Sequence, residues 1–143
     1  MSEPLPTRAA FPVLRSITTR WMDNDVYGHV NNVVYYSFFD TAVNAHLIEQ
    51  GVLDPAASPV IGLVVETGCR YAAPITFPDR VDAGVRVTRI GTSSVRYEVG
   101  LFRNDDHDAA AFGHFTHVYV NRETRSPVPI PDAVRKVLEG LQQ

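Results

Sequence analysis

The sequence predicts an α+β domain in which a curved antiparallel sheet of about five strands wraps around one long helix, followed by a short C-terminal helix. Three patterns lead there. Residues 32 to about 50 carry apolar side chains around most of a helical circumference, and a helix apolar over so wide an arc is normally surrounded rather than laid on a surface. From residue 61 onward the apolar period drops to two, and short turn-like breaks interrupt it. One strand, one buried helix and a meander of strands leave the sheet a single helix to cover.

Residues 1–10 contain Pro4, Pro6 and mixed charge and are expected to form a loose arm. Val13 to Arg20 is the first strand, with Val13, Ile17 and Thr19 on one face and Leu14, Ser16 and Thr18 on the other. Asn31 and Asn32 mark the start of the main helix, because Asn is among the best N-cap residues, and Gly51 is placed to stop it. Its one polar stripe is Ser37, Asp40, Thr41 and Asn44, facing solvent or a polar interface. Gly51 to Pro59 is a loop. Ile61 to Tyr71 is a strand whose alternating set is Ile61, Leu63, Val65, Thr67, Cys69 and Tyr71.

Ala72 to Asp79 breaks the pattern with Pro74 and Pro78. Arg80 to Ile90 then places Val81, Ala83, Val85 and Val87 on one face, and Gly91-Thr92-Ser93 turns the chain into Ser94–Arg103. After a polar turn, Ala110 to Asn121 sends Phe115, His117 and Tyr119 one way and Thr116, Val118 and Val120 the other. A Pro-rich connector follows from Arg122, and Pro131 with Asp132 opens the terminal helix. No internal repeat or second core interrupts residues 1–143, so the chain reads as one domain. The outer strands of such a sheet are unpaired in a monomer, which predicts self-association as a dimer or a dimer of dimers.

A net charge of −3 and a pI near 5.9 argue against nucleic acid or anionic membrane as partners. Cys69 is alone and requires no oxidising compartment. No signal-type apolar segment opens the sequence and no run of eighteen apolar residues occurs, so a cytoplasmic protein without membrane insertion is expected.

The chemistry-bearing stretch runs from Trp21 to Tyr36. It crowds Asp23, Asp25, Gly28 and His29 into the turn before the main helix. A helix start leaves backbone N–H groups without internal partners and carries partial positive charge. An acid therefore stands beside a ready-made oxyanion site, an arrangement suited to attack on a carbonyl. Position alone leaves Asp25 open between turn formation and catalysis. Asp23 reads as structural. Gly28 supplies either a positive φ or room for a ligand, and His29 is open between a structural part and a hydrogen bond to Asp25 or substrate. Tyr35, Phe38 and Phe39 are core or pocket lining, and Glu66 belongs on the outer face or serves as a second carboxylate. No Cys/His spacing suggests a metal, no Gly-rich loop a phosphate, and no Gly-x-Ser-x-Gly a serine nucleophile.

Asp25-Val-Tyr-Gly28-His29-Val30-Asn31-Asn32-x-x-Tyr35, preceded by Arg20-Trp21-x-Asp23, resembles the signature of the hotdog-fold acyl-CoA thioesterases of the 4-hydroxybenzoyl-CoA thioesterase type. The dense match covers about a dozen residues, and a looser one runs to roughly position 130. The resemblance implies a hotdog fold and hydrolysis of an acyl-CoA to free acid and coenzyme A, without metal or cofactor. It also implies Asp25 as nucleophile or general base and the Asn32 amide as oxyanion donor. Gly28, His29, Asn31, Tyr35 and Phe39 would contact substrate. Ser94 matches a serine after the family's Gly-containing hairpin, and Arg89, Arg96, Arg122 and Arg125 are candidates for the coenzyme A phosphates. A non-catalytic acyl-CoA-binding hotdog protein and an acyl-carrier-protein thioesterase remain as alternatives.

Overall fold

A computed structural model describes residues 4–142. The elements are β1 (Val13–Thr18), α1 (Asn32–Glu49), β2 (Val60–Tyr71), β3 (Arg80–Ile90), β4 (Ser94–Arg103), β5 (Ala111–Asn121) and α2 (Asp132–Glu139). Short 3-10 turns occupy Arg8–Ala10 and Trp21–Asp23. The five strands form one antiparallel sheet in the order β1-β3-β4-β5-β2. Helix α1 buries Tyr35, Phe38, Phe39, Ala42, Val43 and Leu47, in one cluster with Val81, Ala83, Val85 and Val87 of β3 and Val95, Tyr97, Val99 and Leu101 of β4. Ser37, Asp40 and Thr41 are exposed, so the polar stripe does face solvent. Val134, Leu138 and Leu141 of the C-terminal segment close the end of the same core.

Two glycines set how closely layers approach. A Cβ at Gly113 would lie 2.3 Å from the Phe39 ring, so only Gly lets that ring rest on β5. Gly84 has a similar role on the opposite face of the sheet, where a Cβ would lie 2.6 Å from Phe11.

Three expectations are corrected. Strand β1 ends at Thr18, before Arg20, because the Thr19 hydroxyl donates to the Asp79 carbonyl and Arg20 turns back onto Asp23. The alternating set drawn for β2 does not share one face. A bulge between Val64 and Glu66 inserts one residue, and directly opposed residues share a face. Gly62 and Val64 thus lie with Tyr119 and His117, and Thr67, Cys69 and Tyr71 with Phe115, Gly113 and Ala111, whereas Leu63 belongs with Val118 outside.

The third correction is the arm. Residues 1–3 lie outside the described residues, but 4–10 are tied down rather than loose. Phe11 packs on Phe102 and Ala109, with Leu5 and Ala10 against them. Arg8 donates to the Asp82 carboxylate and to the carbonyls of Asn104 and Asp106. Sequence patterning missed this because the anchor is a charge pair, not a periodic apolar face.

Asp82 joins the arm to the sheet, since Ser16 and Arg80 also donate to it. Burial opposes its charge, but the hydrogen bonds from Arg80, Arg8 and Ser16 outweigh burial and hold the carboxyl at about 2. A carboxyl lowered in this way stabilises the fold above its ordinary pKa of 3.8 and loses that contribution as pH falls through about 2. Asp82→Asn is therefore expected to lower unfolding free energy in urea at neutral pH by about 2 kcal/mol. It should also flatten the fall in stability between pH 3.8 and pH 2.

Candidate active site

The segment entering α1 is built on Asp23, which is fully buried. Its carboxylate accepts from the Arg20 backbone and guanidinium, and its carbonyl accepts from Asn31 N–H. Asp23 is thus occupied structurally. Between Asp23 and Asn31 the chain makes a tight loop: Asn24 bridges to Val30, Asp25 N–H donates to the His29 carbonyl, and Gly28 N–H to the Asp25 carbonyl. Gly28 has φ +84° with nothing within 4 Å of a would-be Cβ, so its need is conformational and not one of close approach. Val30 is buried and donates to the Ile75 carbonyl, which pins the loop to the β2–β3 connection.

Asn31 caps α1: its side-chain oxygen accepts from Val33 N–H and its carbonyl from Val34 N–H. That leaves the Asn32 N–H, the first of the helix, without an acceptor among the described residues. Asp25 Oδ1 accepts from Tyr27 N–H at 2.9 Å, while Oδ2 has no hydrogen bond among the described residues. Asp25, His29, Asn32 and Tyr35 line one cavity of about 370 Å³ together with Val30, Tyr71 and Ala72–Pro74. Asp25, with an uncommitted carboxylate oxygen, and Asn32, with an uncommitted amide, therefore line the same space at the positive end of a helix.

The remaining candidates divide. Tyr35 is buried in the cavity wall, its ring 4.9 Å from that of Tyr71, and burial pushes its phenol up. The exposed His29 ring lines the mouth and makes no hydrogen bond to Asp25. Phe39 is not in this cavity; it stacks on Phe115 one turn further along and borders a separate crevice of about 60 Å³.

Arg89 and Ser94 lie elsewhere in the chain. Ser94 opposes Val118, whereas Leu101 opposes Ala111, itself opposite Tyr71. The hairpin thus stands seven residues along β4, about 23 Å, from the cavity end of the sheet. Arg122 is held by the carbonyls of Ser58 and Pro55. Glu66 pairs with Arg96 and His114 on the outer face, away from the cavity.

Sequence reasoning missed Tyr71 and the Ala72–Pro74 wall. Tyr71 donates its hydroxyl to the Asn32 carbonyl, so the end of β2 braces the first turn of α1. Only the proline-containing break after Tyr71 hinted that this strand end has neighbours. Cys69, two residues earlier, is pushed up to about 11 by burial, which removes it as a thiolate nucleophile. A second cavity of about 380 Å³ lies at the other end of α1, and its lining includes no carboxylate.

With this geometry in hand, the chain can be placed among known proteins. A family model described as the thioesterase-like superfamily matches residues 19–138. The crystal structure of the PA5185 protein from Pseudomonas aeruginosa strain PAO1 is 52% identical, with 98% of each chain covered and a TM-score of 0.96. PA2801, a putative thioesterase from Pseudomonas aeruginosa, is 29% identical over 87% of this chain and 96% of its own, with a TM-score of 0.82. BH1999, a gentisyl-coenzyme A thioesterase, is 25% identical over 88% and 99%, with a TM-score of 0.77. No curated protein matches. No helix among the described residues is long and apolar enough to cross a membrane. The motif, the sheet wrapped around α1 and the matched family converge: the chain belongs to the thioesterase-like superfamily and is a thioester hydrolase of the hotdog fold.

Proposed function

We propose that this protein is an acyl-CoA thioesterase, releasing a free acid and coenzyme A. The observation that carries the reading is that Asp25 and Asn32 line one cavity, with Asp25 Oδ2 and the Asn32 N–H making no hydrogen bond among the described residues. The thioester carbonyl oxygen would accept from Asn32 N–H, where negative charge is stabilised by the helix terminus as the tetrahedral centre forms. Asp25 then acts by one of two routes. Its carboxylate attacks the acyl carbon, expels the thiolate and leaves an anhydride that water opens, or it takes a proton from the water that attacks. In both, the acyl carbon gains hydroxyl and the thiolate gains a proton. The coenzyme A class follows from the motif's resemblance and from what BH1999 is named to hydrolyse.

Self-association completes the reading. Strand β2 is twelve residues long at the sheet edge, with Leu63, Val64 and Val65 exposed. Such an edge is a template for another strand. A second copy added antiparallel along β2 brings its Val60 end beside the first copy's Tyr71 end. Its Arg89–Ser94 hairpin would then approach the Asp25 cavity. This is the way those two residues would reach coenzyme A despite their distance within one chain.

Asp25→Asn should bind a non-hydrolysable acyl-CoA analogue as wild type does while thiol release falls by about 10²-fold or more. Equal turnover by both proteins would remove Asp25 from the mechanism. In light scattering after gel filtration, wild type should elute as a dimer or larger. Val65→Lys, at a site 61% exposed and so free of core cost, should shift it toward monomer.

A further inference from the structure

Helix α1 leans on β3 and β1 rather than centring on the sheet. Between α1 and the edge strand β2 lie three separate cavities in series, which together mark out a groove. The first has Asn32 and Tyr35 on the helix and Tyr71 on the strand. The crevice after it has Tyr36, Phe39 and Asp40 on the helix and Thr67 and Val64 on the strand. The last has Asn44 and Leu47 on the helix and Gly62 and Val60 on the strand. Helix and strand numbers run in opposite directions through the series, as they must along one antiparallel seam. From Asn32 to Leu47 the groove spans about 22 Å at the α-helical rise.

From these positions we infer that the groove holds the acyl chain, and that the far cavity receives its distal end, making the preferred substrate a long, unbranched acyl thioester. This rests on the thioesterase reading above and adds the acyl class. The lining suits an alkyl chain. Phe39 and Phe115 stack to form the middle of the floor, and Leu47, Val52, Leu53, Val60 and Val134 surround the end. His117 and Tyr119 are the titratable groups within the floor; burial pushes His117 down to about 4 and Tyr119 up, so both are uncharged at neutral pH. Arg122 faces the end cavity too, but its guanidinium is tied to the Ser58 and Pro55 carbonyls. Asp40 lies at the solvent side of the middle crevice. Methylenes buried along such a groove each add about fourfold in affinity, so short acyl groups forgo most of what it offers.

The test separates binding from turnover. Binding of acetyl-, octanoyl- and palmitoyl-CoA to Asp25→Asn, followed calorimetrically, should tighten steadily with chain length. Val52→Trp and Leu53→Trp, made separately in that background and checked for folding by circular dichroism, fill the end cavity from partly buried positions at the margin of the core. Each should weaken palmitoyl-CoA binding by about tenfold or more while octanoyl-CoA stays within a factor of about two. The same substitutions in the active protein should shift the preferred thioester from palmitoyl to octanoyl. Affinity independent of chain length, or palmitoyl-CoA binding untouched in both folded Trp variants, would overturn the inference. Tight chain-length-dependent binding without thiol release in wild type would instead overturn the thioesterase reading and leave the groove assignment standing.

Discussion

Much of this molecule depends on how the first turn of α1 is held. Asn31 N–H reaches the Asp23 carbonyl, Val30 N–H the Ile75 carbonyl, and the Tyr71 hydroxyl the Asn32 carbonyl. The turn before the helix and the distant stretch from Tyr71 to Ile75 thus converge on one helical turn. The first two satisfy backbone N–H groups that would otherwise go unpaired at the helix start, and the third adds a bond to the first turn. The Asn32 N–H is left over, and Asn32 lines the cavity that Asp25 also lines. A helix terminus without those braces would fray, and the amide would have no fixed direction.

Phe39 rests on β5 because Gly113 allows it, and the next turns lean toward β3 and β1. One side of α1 is consequently well packed and the other, toward β2, is open. The open side carries a sheet edge with exposed Leu63, Val64 and Val65, and the segment around Asp25 exposes Trp21, Met22, Val26 and Tyr27. Apolar surface of this extent is what a protein keeps for a partner or a ligand. Helix packing, edge exposure and cavity position therefore have a common origin.

The outer face is organised by charge. Arg8, Arg80 and Ser16 converge on Asp82, and Phe11 covers Gly84 and Gly100 between the strands. The arm thereby roofs a part of the sheet that α1 cannot reach. It stabilises β1 and β3, the side on which the helix leans.

The element order, the helix limits, the burial of β3 and β4 and the Asp25 turn were all legible in the sequence, because each is written as a local period, a cap or a breaker. Asn31 as N-cap and Gly51 beyond the helix end are local rules that the fold obeys. What the sequence could not carry was anything that depends on two distant segments meeting. The β2 bulge reverses the face of every residue beyond it, yet it leaves no mark in a strand of Val, Leu and Ile. The arm's attachment is a side-chain charge meeting a carboxylate 74 positions away. Tyr71 reads as the last residue of a strand until the fold carries its hydroxyl to the helix start. The groove along β2 exists because of a tilt that packing alone decides. Local chemistry was written in the chain; which uncommitted atoms share a cavity was settled by the tertiary structure, since only packing brings Tyr71 and Ala72–Pro74 against Asp25 and Asn32.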